Sequence, residues 1–280
     1  MFELSIENEF GKKLNLTNNK DYYVLSVEGL ASLAGEVFTQ GLAFKHGSVF
    51  KNSKVSERNI VITLKLNNDI EKSRISLYDF FKVGSMPRIY YRNNTRNVYI
   101  DAVVENIECD LFTENETMQI SLLATQPFWM GYKSEIDASK EYSNFRFPFN
   151  INETGIAFSG IDLYKNTNIV NTGEVPTGLI IKIECKRGTV NNPVIYNAVN
   201  GNHFKINYSL IDGDLITIDT NKKTIFLERD AETFNLIGYK DPTSTWFQVP
   251  YGVSTFTYNA DNVSENLSVI IETTPLFYGV

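Results

Sequence analysis

Two histidines, two cysteines and a scatter of carboxylates are the side chains of this 280-residue chain with chemistry to offer. His46 sits in Phe44-Lys45-His46-Gly47-Ser48 and His203 far downstream, and neither has a Cys, His or carboxylate at metal-ligand spacing. A Ser-His-acid mechanism would have to use one of them, and no Gly-x-Ser-x-Gly turn accompanies either. Both read as loop or half-buried imidazoles. Glu105, Glu108 and Asp110 share one predicted strand, with Glu108 and Asp110 on the side opposite Cys109. Two carboxyls about 5–10 Å apart across a cleft suit glycoside hydrolysis, so the spacing permits that chemistry. A solvated strand face carries the same pattern and is the reading adopted. Asp212-Gly213-Asp214 followed by Asp219 lacks the further ligands and distal Glu of a calcium loop and reads as an acidic turn. Neither Gly-x-x-x-x-Gly-Lys-Ser/Thr nor Gly-x-Gly-x-x-Gly occurs, so no phosphate cradle is expected. Trp246, in Ser244-Thr245-Trp246-Phe247, and nearby Tyr251 are the candidates for stacking on a sugar, although such a tryptophan more often fills a core. No catalytic residue, metal or cofactor is expected.

The elements that would position these residues are strands. Ile60, Ile62, Leu64 and Leu66 alternate with Thr63 and Lys65, the signature of a half-buried strand over Asn59–Leu66. Met118–Ala124 repeats the pattern, and Val103–Leu111 does so with Glu105 as an exception. Arg88–Tyr91 and Asn97–Ala102 flank Asn93-Asn94-Thr95 as a hairpin. Glu71–Val83 carries Ile75, Leu77, Tyr78, Phe80 and Phe81 at helical spacing, which predicts about three turns of helix. Asp69 or Ser73 would cap it, Gly84 would end it, and its aromatic stripe would pack into the core. Thr125–Asn150, with aromatic groups at Phe128-Trp129 and Phe145-Arg146-Phe147-Pro148-Phe149, reads as an inter-domain connection pinned by its rings. Alternation resumes at Leu179–Cys185, Ile216–Ile218, Ile225–Leu227, Phe256–Tyr258 and Leu267–Ile271, with turn signals at Asn200-Gly201, Asp212-Gly213 and Pro250-Tyr251-Gly252. The expectation is a mainly β chain of two domains, residues 1–132 with one helix and residues 133–280 as a β-sandwich, with a single large β domain as the fallback.

With 42% hydrophobic and 21% charged residues the chain can build real cores, which excludes the disordered class. A net charge of −7 without a basic segment argues against specific nucleic-acid binding. Met1-Phe2-Glu3-Leu4-Ser5-Ile6-Glu7 has neither the basic start nor the apolar segment of a signal peptide, and no run reaches the roughly 18 apolar residues of a membrane span. Synthesis in the cytoplasm is expected. Cys109 and Cys185, both in strand-like runs, read as small buried apolar residues rather than as a disulfide.

The order of these elements resembles the siphovirus distal tail protein family. The resemblance rests on Arg58-Asn59-Ile60-Val61-Ile62, the Ser73–Phe81 segment, Arg88-Ile89-Tyr90-Tyr91 and Ala124-Thr125-Gln126-Pro127-Phe128-Trp129 in the first half. In the second half it rests on Asn171–Thr177, Gly213–Thr220 and Trp246–Gly252. It covers nearly the whole chain. It implies a first domain that forms a homo-hexameric ring around the tail channel and a galectin-like second domain that projects outward. The ring joins the tail tube protein to a tail-associated fibre or spike protein and often carries receptor-binding proteins, in a phage tail tip or a tail-like bacteriocin. The chain is too short for a large inserted module, so the plain adaptor form is expected. A ring needs heterologous contacts. Asn59, Val61, Thr63 and Lys65 on one strand, with Gln119 and Ser121 on another, are the candidate ring interface, braced by the helix. An acidic balance suits a wall past which DNA must slide. The runner-up reading is a carbohydrate-binding module that recognises host glycans through Trp246 and Tyr251.

Overall fold

The computed structural model describes residues 2–31, 33–111, 116–138, 142–143, 159–160 and 166–280. It divides into one unit of Met1–Tyr132 with Leu276–Val280 and a second of Lys133–Pro275. The first unit contains β1 (Glu3–Glu7), β2 (Lys13–Asn15), β3 (Tyr22–Glu28), β4 (Gly35–Gly41), β5 (Ser48–Val55), β6 (Arg58–Leu66), α1 (Ile70–Tyr78), β7 (Arg88–Arg92), β8 (Asn97–Asp101), β9 (Val103–Cys109), β10 (Thr117–Ala124) and β11 (Trp129–Met130). The second contains β12 (Ser134–Asp137), β13 (Tyr142–Ser143), β14 (Ser159–Gly160), β15 (Thr167–Asn171), β16 (Leu179–Cys185), β17 (Thr189–Asn191), β18 (Val194–Asn197), β19 (His203–Lys205), β20 (Ser209–Ile211), β21 (Leu215–Asp219), β22 (Thr224–Arg229), β23 (Glu232–Asn235), β24 (Gly252–Asn259) and β25 (Leu267–Thr273). A last strand, β26 (Leu276–Phe277), returns to the first unit.

In the first unit a six-stranded sheet, β2-β1-β7-β8-β11-β26, and a four-stranded sheet, β3-β6-β10-β9, share one core. The alternation read in the sequence supplies it. Ile60, Ile62, Leu64 and Leu66 of β6 and Met118, Ile120, Leu122 and Ala124 of β10 face Leu4, Ile6, Ile89, Val98 and Ile100 of the other sheet. The predicted exception at Glu105 is a β-bulge: Ser121 pairs with Asn106 and Leu122 with Val104, so Glu105 has no partner and the inward face switches there.

The helix is shorter than its spacing predicts. Asp69 caps it, accepting from the Lys72 amide at 3.3 Å, but it stops at Tyr78 rather than Val83. At Asp79 the chain leaves the helix, and the amides of Phe80 and Phe81 both bond to the Leu77 carbonyl. That turn sends two consecutive rings into the core, which continued helix would point about 100° apart. Leu77, Phe80 and Phe81 are buried as expected, whereas Ile75 and Tyr78 face solvent.

The stretch read as a connection is partly domain interior. Trp129 is fully buried in the first core, and Ser134–Asp137 pairs with β25. Phe145–Phe149 lies outside the described residues. The second unit packs a six-stranded sheet, β12-β25-β16-β21-β22-β23, against a four-stranded one, β15-β24-β18-β19. Its core joins Ile181, Ile183, Ile216, Ile218, Leu227 and Ile271 to Ile169, Ile195, Phe204 and Phe256. Cys109 and Cys185 are free thiols, half-buried and buried respectively.

Candidate assembly interface

Alternation that buries one face of β6 and β10 must present the other. Asn59, Val61, Thr63, Lys65, Gln119 and Ser121 therefore share the outward face of the four-stranded sheet. Gln119 stands opposite Thr63 and Ser121 opposite Val61. The Ser121 hydroxyl donates to Glu105 Oε2 at 3.1 Å and more weakly to Asn59 Oδ1 at 3.4 Å. Edge strand β3 adds exposed Tyr23, opposite Lys65, and exposed Leu25, the residue bulged between Val24 and Ser26. The structure thus gathers the six candidate positions on one surface.

The carboxylates read from the sequence do not form a catalytic pair. Glu108 accepts from Asn106 Nδ2 at 2.8 Å and Asp110 from the Thr117 hydroxyl at 2.9 Å, and both are exposed on an open strand face. Asp214 is buried and spent on structure. It takes Arg229 Nε at 2.7 Å and the Ile211 amide at 2.8 Å. Burial pushes its carboxyl up, but the Arg229 and Ile211 hydrogen bonds and the Arg229 charge outweigh that and hold it below the usual range. Among the described residues no group of three His, Cys, Asp or Glu side chains gathers as a metal site. His46 lies exposed in the loop between β4 and β5, and His203 Nε2 sits 3.1 Å from the Thr243 hydroxyl.

The two candidate sugar-stacking rings differ in setting. Trp246 is half-buried, its ring 4.9 Å from Phe204 and tilted by 59°, as part of the second core. Tyr251 stands 76% exposed in the turn before β24.

The most conspicuous surface was not singled out from the sequence. Among the described residues β4 and β5 pair only with each other, from Gly35–Val55 to Gly41–Ser48, and every residue but the half-buried Val55 is exposed. Pairing slips at Phe38–Asn52 and Thr39–Phe50, leaving Lys51 as a bulge. Because strand side chains alternate, Phe38 and Val37 point to opposite faces, so the ribbon is apolar on both sides. Val37 is 63% exposed, Phe50 61% and Phe38 45%, and Phe44 at the tip is fully open with a φ of 61°. A lone two-stranded hairpin is marginal in water, and exposed apolar clusters of this kind mark contact surfaces. The available signal was Val37-Phe38 and Val49-Phe50 bracketing a loop edged by Gly41 and Gly47.

The two legs of this ribbon meet at Arg58. The incoming leg follows β3 through Gly29 and Leu30, and the outgoing leg runs from Val55 directly into β6. Arg58 is 2% exposed. Its guanidinium donates to the carbonyls of Pro127 at 2.6 Å, Leu30 at 2.8 Å, Gly29 and Tyr278. Burial pulls its pKa down to about 10, so it remains a cation at neutral pH, solvated by carbonyl dipoles. Trp129 stacks 5.8 Å from it and gives its indole N–H to Leu30 at 3.0 Å.

Residues 172–272 match the family described as siphovirus-type tail component, C-terminal domain. No curated protein matches. Among solved structures the chain is similar to SPP1 Dit, described as a paradigm of the hub adsorption apparatus in phages infecting Gram-positive bacteria. The identity is 12% and the TM-score 0.67, over 98% of this chain and 99% of that one. It is also similar to a chain of the phage P2 baseplate in its activated conformation. With calcium the identity is 14% and the TM-score 0.56, over 97% of this chain and 98% of that one. With strontium the values are 15% and 0.55 over the same shares. The resemblance to siphovirus distal tail proteins and the mainly β fold read from the sequence are borne out, by sequence over residues 172–272 and by fold over nearly the whole chain.

Proposed function

We propose that this chain, as a siphovirus-type tail component, is a structural hub of a phage or phage-like tail tip, assembling into a ring that joins the tail tube to the fibre or spike apparatus. The observation that carries the reading is the β4–β5 ribbon, apolar on both faces and, among the described residues, exposed at every position but Val55. A second copy supplies the cover. A ribbon from one subunit laid on a different patch of the next is a heterologous contact, and repeated around an axis it closes a ring. The outward face carrying Asn59, Val61, Thr63, Lys65, Gln119 and Ser121 is the receiving patch, with Tyr23 and Leu25 at its apolar edge. Six copies are expected, with the tail tube protein on one side of the ring and the fibre or spike protein, with any receptor-binding proteins, on the other. Such a hub performs no chemistry, and its place is the virion tail tip. The carbohydrate-binding alternative now leans on Tyr251, because Trp246 packs against Phe204.

Negative-stain imaging of the concentrated full chain, alone and with tail tube protein, tests this together with light-scattering mass. Six-fold rings with a central hole are expected. A single-chain mass under both conditions would overturn the reading.

A further inference from the structure

The last residues of the chain close the root of the ribbon. β26 pairs with β11, placing Leu276 opposite Met130 and Phe277 opposite Trp129. Arg96 lies over the Phe277 ring at 4.2 Å, and Tyr278 meets Phe128 edge-on at 5.4 Å. The next two groups reach the incoming leg. The Tyr278 carbonyl accepts from Arg58, 220 residues away in sequence, and Arg58 also holds the Gly29 and Leu30 carbonyls. Gly279 then passes so close to Ala31 that a Cβ there would lie 3.2 Å from its carbonyl oxygen and 3.3 Å from its Cα. Gly29 is more constrained still, with a φ of +80° and room for no Cβ, since one would fall 1.9 Å from the Asn59 carbonyl oxygen. On the outgoing side the Ser56 amide bonds to the Ala34 carbonyl at 2.9 Å and closes the root.

From this geometry we infer that Leu276–Val280 is a clamp that sets the direction of the β4–β5 ribbon, with Arg58 as the positioning residue that ties the clamp to both legs. A guanidinium presents five N–H groups in a rigid plane, so one side chain fixes carbonyls from separate segments in one arrangement. Among the described residues the ribbon contributes no side chain to either core, and its direction is inherited from its root. The clamp follows the second unit in sequence, so the arm is set only once that unit has been made. The assembly part of this inference rests on the ribbon serving as the ring arm.

Amide exchange and assembly of the full chain, measured together, test the clamp in two variants. One deletes Leu276–Val280. The other, Gly279→Val, keeps β26 and drives a branched side chain against Ala31. Exchange across residues 29–57 should quicken roughly tenfold or more, with β10 and the second unit unchanged, because a root that opens more often exposes its amides in proportion. Assembly should fall in parallel. If the deletion fails to fold, Gly279→Val decides alone. Parent-like exchange across 29–57 in Gly279→Val overturns the clamp, whereas a loosened root with undiminished assembly upholds the clamp and overturns the ring-arm reading. A parent chain that never assembles also removes the ring-arm reading, and the exchange arm still tests the clamp.

Discussion

Replacing Phe38 and Phe50 together by serine should leave the single chain folded and weaken its assembly. Phe38 is 45% and Phe50 61% exposed, so neither ring supports its own unit. Each change should therefore move stability by no more than about 0.5 kcal/mol. Taking about 200 Å² for a whole phenylalanine, about 90 Å² of Phe38 and about 120 Å² of Phe50 remain to be covered by a neighbour. Phe50 stands opposite Thr39 and so lies on the other face of the ribbon from Phe38; a single patch covers one of the two rings, worth at most about 2–3 kcal/mol at about 25 cal/mol per Å². Ordering and polar desolvation reduce what appears as affinity, so the expected loss is about 1–3 kcal/mol, roughly five-fold to a hundred-fold per contact. Sedimentation velocity over a wide concentration range, with thermal melting in parallel, reads both quantities. If the double variant associates as the parent does while melting at the same temperature, the ribbon is not the arm.

Glu272 is buried between Lys133 at 2.7 Å and Lys182 at 2.8 Å. Burial pushes its carboxyl up, but the hydrogen bonds and charges of the two lysines outweigh that and hold it below its ordinary value of 4.5. A carboxyl lowered by folding stabilises above its unfolded pKa and loses that contribution as pH falls through the folded one. Glu272→Gln should cost the second unit about 1–3 kcal/mol at neutral pH, with the half-exposed lysines softening the loss, and parent and variant melting curves should converge below pH 4.5. Trp246→Ala should destabilise the same unit by about 2–4 kcal/mol because its ring packs on Phe204, whereas Tyr251→Ala should melt as the parent does. Titration with host-wall sugars separates the roles: binding that disappears in Tyr251→Ala without a change in melting would support the carbohydrate reading.

Legibility along the chain followed the range of the forces involved. β6, β10 and β16 were readable because a strand throws successive side chains to opposite faces, so a buried side writes period two into the sequence. Glu105 broke that period, and the break is a real bulge. The helix could be read but not its end, because spacing cannot tell a third turn from a chain that unwinds to bury Phe80 and Phe81. The β4–β5 ribbon escaped notice because both of its faces are apolar and alternation carries no signal there. Trp129 looked like a linker anchor because aromatic runs mark connections and cores alike, and β11 has only two residues in which to show a period.

The sequence by itself determined the strand-rich class, the inward faces of the long strands, the absence of a recognisable catalytic motif and the resemblance of residues 172–272 to siphovirus-type tail components. Each is carried by residue types and spacings within a few positions of one another. Only the tertiary structure decided that Asn59, Val61, Thr63, Lys65, Gln119 and Ser121 form one surface, that an exposed two-stranded ribbon precedes β6, and that Arg58 meets Tyr278 at its root. Those are pairings between segments far apart in the chain, chosen by sheet register and by the need of a buried cation for carbonyl oxygens, and no local pattern encodes them.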